Sequence, residues 1–113
     1  MKFRNMCWFE ERAIELFSVG LYPKRESESW KRNFKEHFGV SVAIIKQLWN
    51  GIIDKHPKTI FQQEYLMWTL FFLQNAPTEG VACGFFKIGS RTTWRKWIWI
   101  GVALIASLEY VYN

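Results

Sequence analysis

An all-α domain is the fold this sequence predicts, and three observations predict it. Apolar residues recur at spacings of three and four, as in Trp30, Phe34 and Phe38, or Ile44, Ile45, Leu48, Trp49 and Ile52. Capping residues stand before these runs (Ser41, Thr78, Ser90) and breakers after them (Gly20, Gly39, Pro77). No stretch alternates convincingly. The β-branched runs 40–45 and 98–105 have the composition of strands, but their length and flanking caps favour helix. The expectation is a compact bundle of five or six helices that ends in a helix-turn-helix.

The first helix is expected over residues 5–18, with Cys7, Trp8, Ala13, Ile14 and Phe17 on its apolar side and Glu10, Glu11, Arg12 and Glu15 in water. Gly20 ends it and Pro23 hinders resumption. The polar stretch 22–29 reads as a linker, so residues 1–26 form an N-terminal helix or arm and residues 27–113 the helical domain proper. Ser27 or Ser29 caps a second helix that reaches Phe38, where Gly39 stops it. Ser41 caps a third over 42–53, and His56-Pro57-Lys58-Thr59 is a clear break. A fourth helix over 60–75 starts amphipathic at Gln62, Gln63 and Glu64. It becomes apolar almost all round from Leu66 to Leu73, the pattern of a central helix with neighbours on several sides.

Residues 78–108 carry the strongest local signal: a short helix opened by Thr78 and Glu79, a turn marked by Gly89 and Ser90, and a long helix. At about 100° per residue, Trp94, Trp97, Ile98, Gly101, Leu104, Ile105 and Leu108 share one side of that helix. Arg91, Thr92, Arg95, Lys96 and Trp99 share the other. With Lys87 in the turn, Arg91, Arg95 and Lys96 form a basic cluster in a stretch, 80–108, that contains no acid. A helix with one packed face and one basic, hydrogen-bonding face suits a nucleic-acid groove. The plainer alternative is a core helix whose outer side is solvated by cations. Trp99 stands among the cations. It is there to stack or insert at a groove edge or to meet a protein partner, unless a neighbouring helix covers it.

The 113 residues make one core of ordinary size; half are hydrophobic and 19% aromatic, which argues against disorder across the chain. The formal charge of +5 permits a nucleic-acid or anionic partner without requiring one. Cys7 and Cys83 are far apart and are expected to be buried thiols in a reducing compartment. The N-terminus lacks the apolar core of a signal peptide, and the uncharged runs 65–78 and 97–108 are too short to span a bilayer, so no membrane is expected. His37 and His56 have no Cys, Asp or Glu at ligand spacing, so neither metal nor cofactor is expected. Asp54, Glu64, Glu79 and Glu109 are scattered, and neither a nucleophile motif nor a phosphate-cradling glycine loop is visible. The sequence therefore reads as that of a non-enzyme.

Three motifs in order, NFKEHFGVSVAIIKQLW, YLMWTLFFLQNAPTE and TTWRKWIWIGVALIASLEY, resemble the N-terminal region of PIF/Harbinger-type transposases over residues 34–110. In that family the region is a helical DNA-binding module whose last two helices form a helix-turn-helix. The resemblance implies that 78–86 is the positioning helix and that the recognition helix begins at Arg91. Arg91, Thr92, Thr93, Arg95 and Lys96 match the family's polar positions at its start. The sequence departs from the family at the turn, where Gly84 lies too early, Gly89 lies late and the loop is about one residue longer. Family members continue into an RNase H-like domain with three acidic metal ligands, whereas this chain stops at Asn113. It resembles a detached or truncated DNA-binding segment, which implies duplex DNA as partner and the nucleus as location.

The expected DNA-binding residues are therefore Lys87, Arg91, Thr92, Thr93, Arg95, Lys96 and Trp99. Phosphates would fall to Lys87, Arg91 and Lys96, and base edges to Arg91, Thr92 and Arg95. Four phosphate contacts would give a log–log salt slope of about −3.6. The rival expectation is a protein-interaction module, either a homodimer or a companion of a separate transposase, with Trp99, Val102 and Tyr110 at the interface. A relic without activity is the third.

Overall fold

The computed structural model describes residues 7–17 and 28–108. They form six helices: α1 (Trp8–Phe17), α2 (Glu28–Phe38), α3 (Val42–Lys55), α4 (Gln63–Asn75), α5 (Glu79–Phe86) and α6 (Arg91–Ala106). No strand occurs among the described residues, so the chain is all-α.

Helix α4 is the central element, packed against α1, α2, α5 and α6. Its residues Leu66, Met67, Trp68, Thr69, Leu70 and Phe71 are buried in an unbroken run, as its all-round apolar sequence requires. Trp30, Phe34 and Phe38 of α2 are each 1% exposed and their rings touch in series along one stripe. Ser41 caps α3 by accepting a hydrogen bond from the Ile44 amide, and the helix buries Ile45 and Ile52.

Several boundaries and faces differ from expectation. Helix α4 begins at Gln63, not at residue 60: Phe61 N donates to Thr59 Oγ1 in a local turn that holds 59–62 out of the helix. Ile60 is consequently 74% exposed. Helix α3 runs two residues further than expected, to Lys55, and His56 ends it by donating its amide to the Ile52 carbonyl. Ser29 lies inside α2 and so does not cap it, while Ser27 lies outside the described residues. In α1 the buried residues are Phe9 and Ala13, whereas Trp8 is 37% exposed. Ala13, Ile14 and Phe17 pack on the core as expected, Phe9 is buried where Trp8 is expected, and Arg12, expected in water, turns inward to an acid of α4. Cys7 is only half-buried; Cys83 is buried as expected, and both are free thiols. Burial nonetheless holds the Cys7 thiol above the ordinary range.

Helix α1 belongs to the core. It packs on α3 and α4, and Arg12 fixes it there: Nε and Nη2 donate to Glu64 Oε1 and Oε2 at 2.7 and 2.9 Å. Trp68 Nε1 donates to the same carboxylate at 3.0 Å, and Arg12 Nη2 reaches the Phe86 carbonyl at 3.4 Å.

Candidate functional site

The basic corner is built by α5, the turn 87–90 and the first half of α6. Thr78 caps α5 by accepting from the Val81 amide, and Ser90 caps α6 by accepting from the Thr93 amide, both at 3.2 Å. Each such cap contributes roughly 1 kcal/mol and fixes where its helix starts. The turn does not use a glycine as its left-handed residue. Lys87 does that, with φ 59° and ψ 49°, and the amides of Lys87 and Ile88 both close on the Cys83 carbonyl. Gly89, expected to mark the turn, has no positive φ.

Aromatic packing orients α6. Trp97 stacks on Tyr65 of α4 with ring centroids 4.2 Å apart and planes 9° from parallel. Trp94 lies against Trp68 and Phe86. Gly101 allows the closest approach of all: a Cβ there would sit 2.0 Å from Thr69 Oγ1. At the far end Lys55 Nζ donates to the Ser107 carbonyl at 2.5 Å, tying α3 to the C-terminus of α6. Leu104 and Ile105, expected on the packed side, pack against the core but are only half-buried.

The opposite face is thereby left outward. Lys87, Arg91, Thr92, Thr93, Arg95, Lys96 and Trp99 are all exposed. Trp99, 70% exposed, is covered by no neighbouring helix among the described residues. Lys96 Nζ lies 4.9 Å from the Trp97 ring centroid, which steadies that lysine at the edge of the packed face. Val102 is half-buried beside Trp99, and Tyr110 lies outside the described residues.

The cluster is acid-free along the chain but not in space. Glu79, at the first position of α5, accepts from both Nε and Nη2 of Arg95, the second bond being 2.8 Å. Arg91 approaches the same corner, with its Nη2 3.3 Å from where a Cβ on Gly80 would stand. The Arg95 hydrogen bonds, with the charges of Arg95 and Arg91, hold the Glu79 carboxyl below the ordinary carboxylate range, and Arg95 is raised in turn. The linkage follows from the sign. The pair contributes at pH above the ordinary carboxylate range, and its contribution is lost as pH falls through the lowered value of Glu79. Sequence inspection reads Glu79 as a helix-dipole residue beside Thr78. Its partner is sixteen positions away on another helix, beyond any periodicity signal.

Among the described residues no three His, Cys, Asp or Glu side chains gather as a metal site, and no helix is long and apolar enough to cross a membrane. Fold and site together define a small all-α domain that presents a basic helix start at a corner. No family model, curated protein or solved structure matches the chain.

Proposed function

We propose that this chain is a DNA-binding domain of transposase descent, in which the outer face of the first half of α6 meets duplex DNA. The observation that carries the reading is the division of α6. Trp94, Trp97 and Ile98 are buried, while Arg91, Thr92, Thr93, Arg95, Lys96 and the preceding Lys87 are exposed together. A helix so anchored presents a rigid basic edge, and its N-terminal dipole adds to the attraction for phosphate. The three-motif likeness to PIF/Harbinger-type transposases supports the descent, and with it a nuclear location. In the free protein Glu79 occupies Arg95, which leaves Lys87, Arg91 and Lys96 as the other exposed cations of the corner.

The test is a duplex titration at several salt concentrations with wild type and an R91A/R95A/K96A variant. The expected result is micromolar binding that weakens steeply with salt and falls about 10-fold or more in the variant. Unchanged binding by a variant that melts like wild type would remove α6 from the interface.

A second reading rests on Trp99 alone. An exposed indole is a common anchor of protein interfaces, and beside Val102 it suits a homodimer or a transposase partner. Sedimentation of wild type and Trp99→Ser separates the two: concentration-dependent mass that the substitution abolishes, without salt-sensitive DNA retention, favours the interface.

A further inference from the structure

The guanidinium of Arg95 presents one edge, Nε with Nη2, to Glu79. That two-donor edge also fits a phosphate, because carboxylate and phosphate offer oxygen pairs of similar span. The pair lies open to water, with side-chain exposures of 57% for Arg95 and 32% for Glu79. An exposed ion pair is weakly held, since solvent and salt screen it. A duplex brings a line of phosphates and gains from counterion release at each contact, so exchange at this edge is feasible. Arg91, drawn over Gly80 on the same side, keeps a second cation at the corner while the exchange occurs.

Resting on the DNA-binding reading above, we propose that Glu79 is an internal competitor for the DNA backbone: it occupies Arg95 in the free protein, and Arg95 engages duplex by trading this carboxylate for a phosphate. The acid thereby holds down affinity for any polyanion that cannot bring a phosphate to this position. Glu79 is a gate on the interface, and Arg95 is the residue gated.

The test compares wild type, E79Q, E79Q/R95A and, as a charge control, E36Q. Glu36 is an exposed acid of α2, and α2 packs against α4. Each is titrated with a random-sequence duplex over a range of salt, after a thermal melt shows that it folds. E79Q is expected to bind about 3- to 10-fold more tightly than E36Q at low salt, with a similar slope, because Arg95 meets a phosphate in both complexes. The double variant is expected to lose that gain. The Arg95 Nε–H signal of wild type, followed by NMR, is expected to move on saturation with duplex. The proposal is overturned if E79Q binds no more tightly than E36Q, or if saturating duplex leaves that signal unmoved. Absence of salt-sensitive binding by every one of the four proteins would sink the DNA-binding reading as well. Wild-type binding with an inert E79Q sinks the gate alone.

Discussion

Lys87 occupies a backbone conformation that glycine would adopt more easily. In the left-handed region an L side chain crowds the following carbonyl, at a cost of about 1–2 kcal/mol. Lys87→Gly removes that crowding but adds freedom to the unfolded chain, worth about 0.4–1 kcal/mol in the opposite direction. Strain relief is the larger effect, so the variant is expected to gain about 0.5–1 kcal/mol and melt a few degrees higher. Its DNA affinity is expected to fall, with a salt slope shallower by about 0.9, because a cation at the turn is gone. Ala76 supplies the control. It closes α4 in the same conformation, with φ 46° and ψ 51°, and carries no charge. Ala76→Gly should raise the melting temperature without touching DNA binding. A Lys87→Gly variant that behaved like Ala76→Gly in both respects would remove Lys87 from the interface.

At the scale of elements, the contact between α4 and α6 decides how the basic face is aimed. Gly101 has no room for a side chain: a Cβ would stand 2.0 Å from Thr69 Oγ1, 2.9 Å from Thr69 Cβ and 3.0 Å from Thr69 Cγ2. Thr69 is itself fixed by donating to the Tyr65 carbonyl at 2.8 Å. Alanine would gain up to about 1 kcal/mol in helix propensity. Overpacking in a fixed core costs about 1–3 kcal/mol, and with two helix backbones involved the upper part of that range applies. Gly101→Ala is therefore expected to destabilise by about 1–2 kcal/mol net, and Thr69→Ala in the same chain to recover part of the loss. Calorimetry on the single and double variants checks this; full additivity of the two changes would refute the contact.

The same pair of helices shows what was legible in the sequence. The packed face of α6 follows from its 3.6-residue period, and its start follows from Ser90. Both are local properties, so Trp94, Trp97, Ile98 and the exposed Arg91, Thr92 and Lys96 fall where the pattern puts them. Thr78 and Ser41 mark their helix starts for the same reason. The partner of Arg95 was not legible, because Glu79 reaches it only once α5 and α6 have folded onto each other. The inward turn of Arg12 was hidden likewise: its acid lies 52 residues away. Lys87 escaped because a left-handed lysine looks, in sequence, like any exposed lysine.

For the whole molecule, the question is what joins the N-terminal helix to the rest. Sequence alone allows residues 1–26 to stand apart, since the polar stretch after α1 resembles a linker. Two observations make α1 part of the body: Phe9 and Ala13 are almost fully buried, and Arg12 meets Glu64 with both side chains only about one-fifth exposed. Through Glu64 the ion pair also fixes Trp68, and through the Phe86 carbonyl it touches the end of α5, one residue before Lys87. The Glu64 hydrogen bonds raise the Arg12 guanidinium above its ordinary range. Arg12→Ala would leave a half-buried carboxylate with Trp68 Nε1 as its remaining hydrogen-bond donor among the described residues, a loss of about 1–3 kcal/mol. For a chain of this size that lowers the melting temperature by roughly 5–15 °C. An R12M/E64Q variant is expected to melt above Arg12→Ala, because the amide oxygen can still accept from Trp68 and no unpaired charge remains. Near-ultraviolet circular dichroism of the tryptophans, followed through the same melts, reports on Trp68. If Arg12→Ala melts at the wild-type temperature with an unchanged tryptophan signal, the pair is only a surface contact and α1 is held by its apolar residues, Phe9, Ala13 and Phe17 among them.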